Sequence, residues 1–151
     1  IQPWGSNRLA RIVKSPKLHF LDSGLLSHLR GADTAALKRD RTAFGPLLEC
    51  YVVSELLKLV SWSERDLQVL SYRDKDQREV DVVIENAAGQ LIGVEIKAKA
   101  SVQPRDFAGL HKLAELSGDQ FIAGLVLYDG NETLPMGHGL WAVPLATLWR
   151  L

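Results

Sequence analysis

The sequence predicts an α/β domain with a mixed β-sheet flanked by helices. Three observations carry this expectation. Helical patterns fill the first part of the chain and three strand-like runs follow. Two of those runs, residues 78–86 and 90–100, flank a short Gly-bearing turn and read as a hairpin. An amphipathic helical stretch then leads into a continuously apolar run, the pattern of a crossover into a strand buried on both faces.

Taken in order, residues 1–15 are mixed and basic and read as an extended arm. PKLHFLD, residues 16–22, reads as a short strand or extended segment. In SGLLSHLRG, Ser23 suits an N-cap and Gly31 a stop. DTAALKRD repeats that logic with Asp33 as cap. The longest element, GPLLECYVVSELLKLVSW, starts with Pro46 in a first helical turn, where a missing N–H costs nothing. DLQVLSYRD alternates and reads as a strand, followed by REVDVVIEN and QLIGVEIKAKA. In residues 104–118, Phe107, Leu110, Leu113, Ala114 and Leu116 gather mostly on one side, and Gly118 ends the helix. QFIAGLVLYDG is the apolar strand, and HGLWAVPLATLWRL supplies a last short strand and a helical turn.

At 151 residues, with 46% hydrophobic and 24% charged side chains, the chain is expected to be one ordinary domain. Lys plus Arg and Asp plus Glu both number 18, which argues against a protein living on non-specific phosphate attraction. The single cysteine, Cys50, forbids an internal disulfide and fits a cytoplasmic setting. It is expected to be a small core residue. No run approaches the roughly 20 apolar residues of a membrane span, so no membrane partner is expected. No G-x-x-x-x-G-K-[ST] loop is present, so this piece is not expected to bind ATP that way. The opening IQPWGSN lacks Met and reads as a loop entered midway, as in a fragment of a longer protein.

The hairpin poses the functional question. Side chains alternate across a strand, so Val80, Val82 and Ile84 should share one face with Ile92, Val94 and Ile96. Asp81 and Val83 should share the other with Gly93, Glu95 and Lys97. Asn86-Ala87-Ala88-Gly89-Gln90 suits a three-residue loop with Gly89 in the left-handed conformation. Pairing Asn86 with Gln90 puts Asp81 opposite Glu95, with Cβ atoms about 5 Å apart. Facing carboxylates repel, and a hard divalent cation would reward the arrangement. Lys97, two residues on, could stabilise charge on a phosphoryl group, or could form an ordinary cross-strand pair with Glu79. On the 46–60 helix, Ser54, Glu55 and Lys58 mark the solvent face, and Glu49 falls opposite, among Leu48, Val52, Val53 and Leu56. An inward carboxylate needs a partner, and a metal site would supply one.

A helix Glu, a strand Asp and a Glu-x-Lys resemble the PD-(D/E)xK, restriction-endonuclease-like nucleases, here as Glu49, Asp81 and Glu95-Ile96-Lys97. KSPKLHFLDSGLLSHL, FGPLLECYVVSELLK, REVDVVIE and GVEIKAKA resemble the DUF4143 domain, which typically forms the C-terminal part of bacterial and archaeal AAA-superfamily ATPases. Nearly the whole chain shares this likeness. One departure is Val80, where the broader pattern places a proline. The resemblance implies a restriction-endonuclease-like core over residues 41–151, preceded by an arm and short helices over 1–40. It also implies Mg²⁺ or Mn²⁺ held by Asp81, Glu95, the Ile96 carbonyl and Glu49, with Lys97 orienting the hydrolytic water. An ATPase portion of the same chain is the implied partner.

Arg73, Lys75 and Arg78 lie beside the expected site and Lys99 extends its charged face. They could contact nucleic-acid phosphates or form a solvated turn. Gln103 opens the next helix and could border the site or be a surface residue at the helix N-terminus. His19, His28, His111 and His138 show no metal-ligand spacing and read as structural or surface residues. Trp4, Trp62, Trp141 and Trp149 read as packing residues near element ends. Three functions stay open at this point: a metal-dependent nuclease, a nuclease-like module that binds nucleic acid or a protein without cleaving, and a homo-oligomerisation domain.

Overall fold

A computed structural model describes residues 1–6 and 16–149, so the expected basic arm falls mostly outside the described residues. Two short helices, α1 (Ser23–Leu29) and α2 (Thr34–Arg39), precede the long α3 (Phe44–Trp62). Three strands follow, β2 (Leu67–Arg73), β3 (Glu79–Asn86) and β4 (Leu91–Lys97). Helix α4 (Ala108–Ser117) leads to β5 (Phe121–Tyr128), β6 (Leu134–Gly137) and β7 (Leu140–Pro144). A two-residue β1 (Gln2–Pro3) completes a seven-stranded sheet of order β1-β2-β3-β4-β5-β7-β6. The expected mixed α/β sheet flanked by helices is what forms.

β2, β3 and β4 run antiparallel, and α4 carries the chain across to β5, parallel to β4. β7 continues parallel to β5, and β6 folds back antiparallel on β7. Two cores result. On one face Leu48, Val52, Val53 and Leu56 of α3 cover Val82, Val94 and Ile96. On the other, Phe107, Leu110 and Leu113 cover Val80, Val83 and Leu91. α4 lies close on this face because Gly109 and Gly93 leave room: a Cβ at Gly109 would stand 1.9 Å from the Glu79 carbonyl oxygen.

Several expectations need correction. Asp22, not Ser23, caps α1, accepting from the Leu25 N–H at 2.9 Å. Asp33 caps α2 as expected, at 2.7 Å from the Ala36 N–H. The 104–118 stretch divides into a 3-10 turn (Pro104–Phe107) and α4, and Leu116 is 42% exposed because it turns away from the sheet. β5 is buried only in its second half, with Ile122 exposed near its start. β1 and β6 went unread, being too short to show a period. Val80 packs with Val83 on the α4 face instead of joining Val82. A β-bulge explains this. Leu70 pairs with Val83 and Tyr72 with Val80, so Asp81 and Val82 together oppose Ser71.

Candidate functional site

The hairpin forms as the turn residues dictate. The Asn86 N–H donates to the Gln90 carbonyl at 2.9 Å, Gly89 has φ 80°, and Val82 pairs with Val94. This is the register that sets Asp81 across from Glu95. The ladder stops one step short of them. The Ile96 N–H instead donates to Asp81 Oδ2 at 2.9 Å, so the carboxylate replaces a backbone carbonyl and is fixed in the gap between the strands.

This gap and the first turns of α3 enclose a cleft of about 420 Å³ lined by Glu49, Asp81, Glu95, Ile96 and Lys97, with Glu79 and Gln77 at its edge. All four expected site side chains therefore meet in one place. Asp81 and Glu95 are each 8% exposed. Glu49 is not enclosed by Leu48, Val52, Val53 and Leu56 as its helical phase suggests. Its side chain keeps 26% of its exposure, because it lies near the start of α3, at the mouth of the cleft.

The lysines settle where charge is balanced. Lys97 Nζ donates to Glu95 Oε1 at 2.6 Å. The alternative pairing of Lys97 with Glu79 across the strands does not form, and Glu79 takes Arg73 at 3.2 Å. The second cation was not foreseen. Lys17, from the 16–22 segment, places Nζ 2.6 Å from Glu49 Oε1 and 3.2 Å from Asp81 Oδ1. Burial works against the charge of both lysines, and the neighbouring carboxylates more than offset it, so both are held above their usual value. His19, two residues on, brings Nε2 to 3.9 Å from Glu49 Oε1, where it has no hydrogen-bond partner among the described residues. Burial and the Lys17 charge lower its pKa, so His19 is neutral at pH 7.

Glu95 is the least satisfied group. Its Oε2 is buried without a hydrogen-bond partner among the described residues. Burial, followed by the Asp81 charge, pushes its carboxyl up to about 7 despite the opposing Lys97. Among the described residues, no three His, Cys, Asp or Glu side chains stand close enough together to hold a metal ion. Lys17 stands between Glu49 and Asp81, with its ammonium within 2.6 and 3.2 Å of their oxygens.

The basic residues are differently employed. Arg73 bonds Gln77 as well as Glu79. Arg78 lies 3.7 Å from Asp74 and 3.8 Å from Asp76. Lys75 is exposed on the same turn and, with Lys17 and Arg73, lines a neighbouring cavity of about 450 Å³. Lys99 Nζ donates to the buried Asp106 at 2.7 Å, which also accepts the Gln103 N–H at 2.7 Å. Gln103 is thus a helix cap, as its neighbour Pro104 suggests. Cys50 is a buried core residue whose Sγ donates to the Phe20 carbonyl.

Lys17 and His19 are what sequence reading missed at the site. The signal was present: in KLHF, polar residues alternate with Leu18 and Phe20 at the strand period, which marks one polar face.

Comparison with known proteins places these features in a family. A family model described as a domain of unknown function, DUF4143, matches residues 44–148, which include Glu49, Asp81, Glu95 and Lys97. An uncharacterized protein of Mycobacterium tuberculosis and another of Mycobacterium bovis are each 26% identical to the chain over 144 residues. The match covers 95% of this chain and 31% of each relative, so the chain spans about a third of their length. With the family model covering the long helix, the hairpin and the parallel strands alike, the chain belongs to the DUF4143 family.

Proposed function

We propose that this domain is a divalent-metal-dependent phosphodiesterase module of the PD-(D/E)xK type, acting on nucleic acid and attached to an AAA-type ATPase in the full-length protein. The single observation that carries the reading is Glu95, which lines a cleft with Asp81, Glu49 and Lys97 and whose Oε2 is buried without a hydrogen-bond partner among the described residues. A restriction-endonuclease-like core is supported by the element order, a long helix, a three-stranded antiparallel meander, a crossover helix and a parallel strand.

The donor set suits Mg²⁺ or Mn²⁺. It is all oxygen, from Glu95, Asp81, Glu49 and the Ile96 carbonyl, and hard dications prefer such ligands. Bound there, the ion would supply electrophilic assistance to the phosphoryl group and acidify a coordinated water. The chain's own residues do the rest. The Ile96 N–H fixes Asp81, and Lys97 stands against Glu95 Oε1 with its ammonium in the cleft. In that position Lys97 orients the attacking water and holds positive charge beside the developing oxyanion. Arg73, Lys75 and Arg78 on the adjoining turn are placed to meet the phosphate backbone.

A second reading has its own support. Lys17 and Lys97 already neutralise the carboxylates, and the overall charge balances, as suits a module that binds nucleic acid or a protein without cleaving it. Labelled DNA and RNA incubated with the protein and Mn²⁺ separate the two. Cleavage that falls by about a hundredfold or more in Lys97→Ala supports the enzyme. Retention of the nucleic acid without cleavage at low salt selects the binding module.

A further inference from the structure

Lys17 does something that the metal reading alone leaves unexplained. Its ammonium occupies the space between Glu49 Oε1 and Asp81 Oδ1, at 2.6 and 3.2 Å. Those are two of the oxygens a dication would use. A Mg²⁺ ion approaches its oxygen ligands to about 2.1 Å, so an ammonium bridging the same pair excludes it by volume and by charge.

The segment that delivers Lys17 is lightly held. No residue of 16–22 is buried as a whole, and Leu18 and Leu21 turn outward at 93% and 73% exposure, while the His19 side chain alone is covered, at 8% exposure. It is anchored by polar contacts: backbone hydrogen bonds between Lys17 and Ile1, the Cys50 Sγ–Phe20 carbonyl bond, and the Lys17 ion pairs. Segments with few apolar contacts open at low free-energy cost. By contrast, Asp81 and Glu95 sit on central strands, and with Lys17 in place Glu95 Oε2 has no partner among the described residues.

We propose that the 16–22 segment is a built-in competitor for the cation position, with Lys17 standing in for the metal between Glu49 and Asp81 and having to leave before a divalent ion can load. This rests on the metal-site reading above. It adds a regulatory step: whatever draws the segment away, the ion at high concentration or a bound partner, switches the cleft from a closed ion-pair network to an open carboxylate set.

The test is Mn²⁺ binding by calorimetry and by the free-ion electron paramagnetic resonance signal, on wild type, Lys17→Met and Lys17→Arg of the full chain. The expected result is affinity about tenfold tighter in Lys17→Met and near wild type in Lys17→Arg, which keeps the cation. Equal affinity in wild type and Lys17→Met, or weaker affinity in Lys17→Met, overturns the competitor while leaving the metal site standing. Absence of Mn²⁺ binding in all three proteins overturns both. A readout on the wild type needs no variant: trypsin cleavage after Lys17 should quicken several-fold at saturating Mn²⁺ as the side chain is released. An unchanged cleavage rate with Mn²⁺ bound counts against displacement even if Lys17→Met does not fold.

Discussion

Glu95 shows how one residue can hold a site in tension. Its carboxyl is pushed up to about 7 from 4.5 by burial and then by the Asp81 charge, so the folded chain binds this proton more tightly than the unfolded chain does. The linkage sign follows. Between pH 4.5 and about 7 the folded state holds more protons than the unfolded one, and stability falls as pH rises through this window. Glu95→Gln removes the ionisation. It is expected to raise stability by about 1–3 kcal/mol at pH 8 and to change it little near pH 4, as urea unfolding at the two pH values would show. A second residue-scale expectation concerns Gly109. A methyl there would collide with the Glu79 backbone carbonyl, at the start of the strand that carries Asp81. Gly109→Ala should therefore cost about 1–3 kcal/mol in thermal unfolding, although alanine is the better helix former.

At the scale of elements, the turn and the bulge divide what could be read from what could not. Asn86 to Gln90 is local, with Gly89 supplying the left-handed residue, and it fixed the β3–β4 register that sets Asp81 across from Glu95. The bulge at Asp81 and Val82 depends on how β3 meets Ser71 of β2, a contact that the alternation of β3 alone does not encode. Lys17 lay further out of reach, for it is 64 residues from Asp81 in sequence, and the alternation of KLHF marks a polar face without saying which acids it meets. β1 and β6 have two and four residues, too few to alternate visibly. The entry to α4 makes a prediction of its own. Asp106 caps the 3-10 turn through the Gln103 N–H and holds Lys99. Asp106→Ala leaves that donor unmet and should cost about 1–2 kcal/mol, measured by chemical denaturation, with α4 the first segment to lose hydrogen-exchange protection.

For the molecule as a whole, the proposed metal binding would be linked to folding. A dication that joins only the folded cleft adds stability by mass action, about 2.7 kcal/mol at a hundred times its dissociation constant. Mn²⁺ should therefore raise the melting temperature of the wild type, and Asp81→Asn should abolish most of that rise in differential scanning fluorimetry. Exposed Leu18, Leu21, Trp62 and the Tyr51–Trp149 stack, whose centroids are 5.5 Å apart, leave apolar surface on the outside of this domain. Relatives about three times as long have ample chain to lie against it.

The irregular step in β3 has a price for variation. Removing one residue between Val80 and Val83 would restore plain alternation and tidy the pairing with β2. Such a shortened protein, lacking Val82, should fold well and keep its acid on the α3 side, yet Asp81 would move one pair along β4, opposite Val94 and no longer across from Glu95. The proposed chemistry would be lost through an improvement in geometric order, and a survey of natural length changes along this strand should find them shunning that one position.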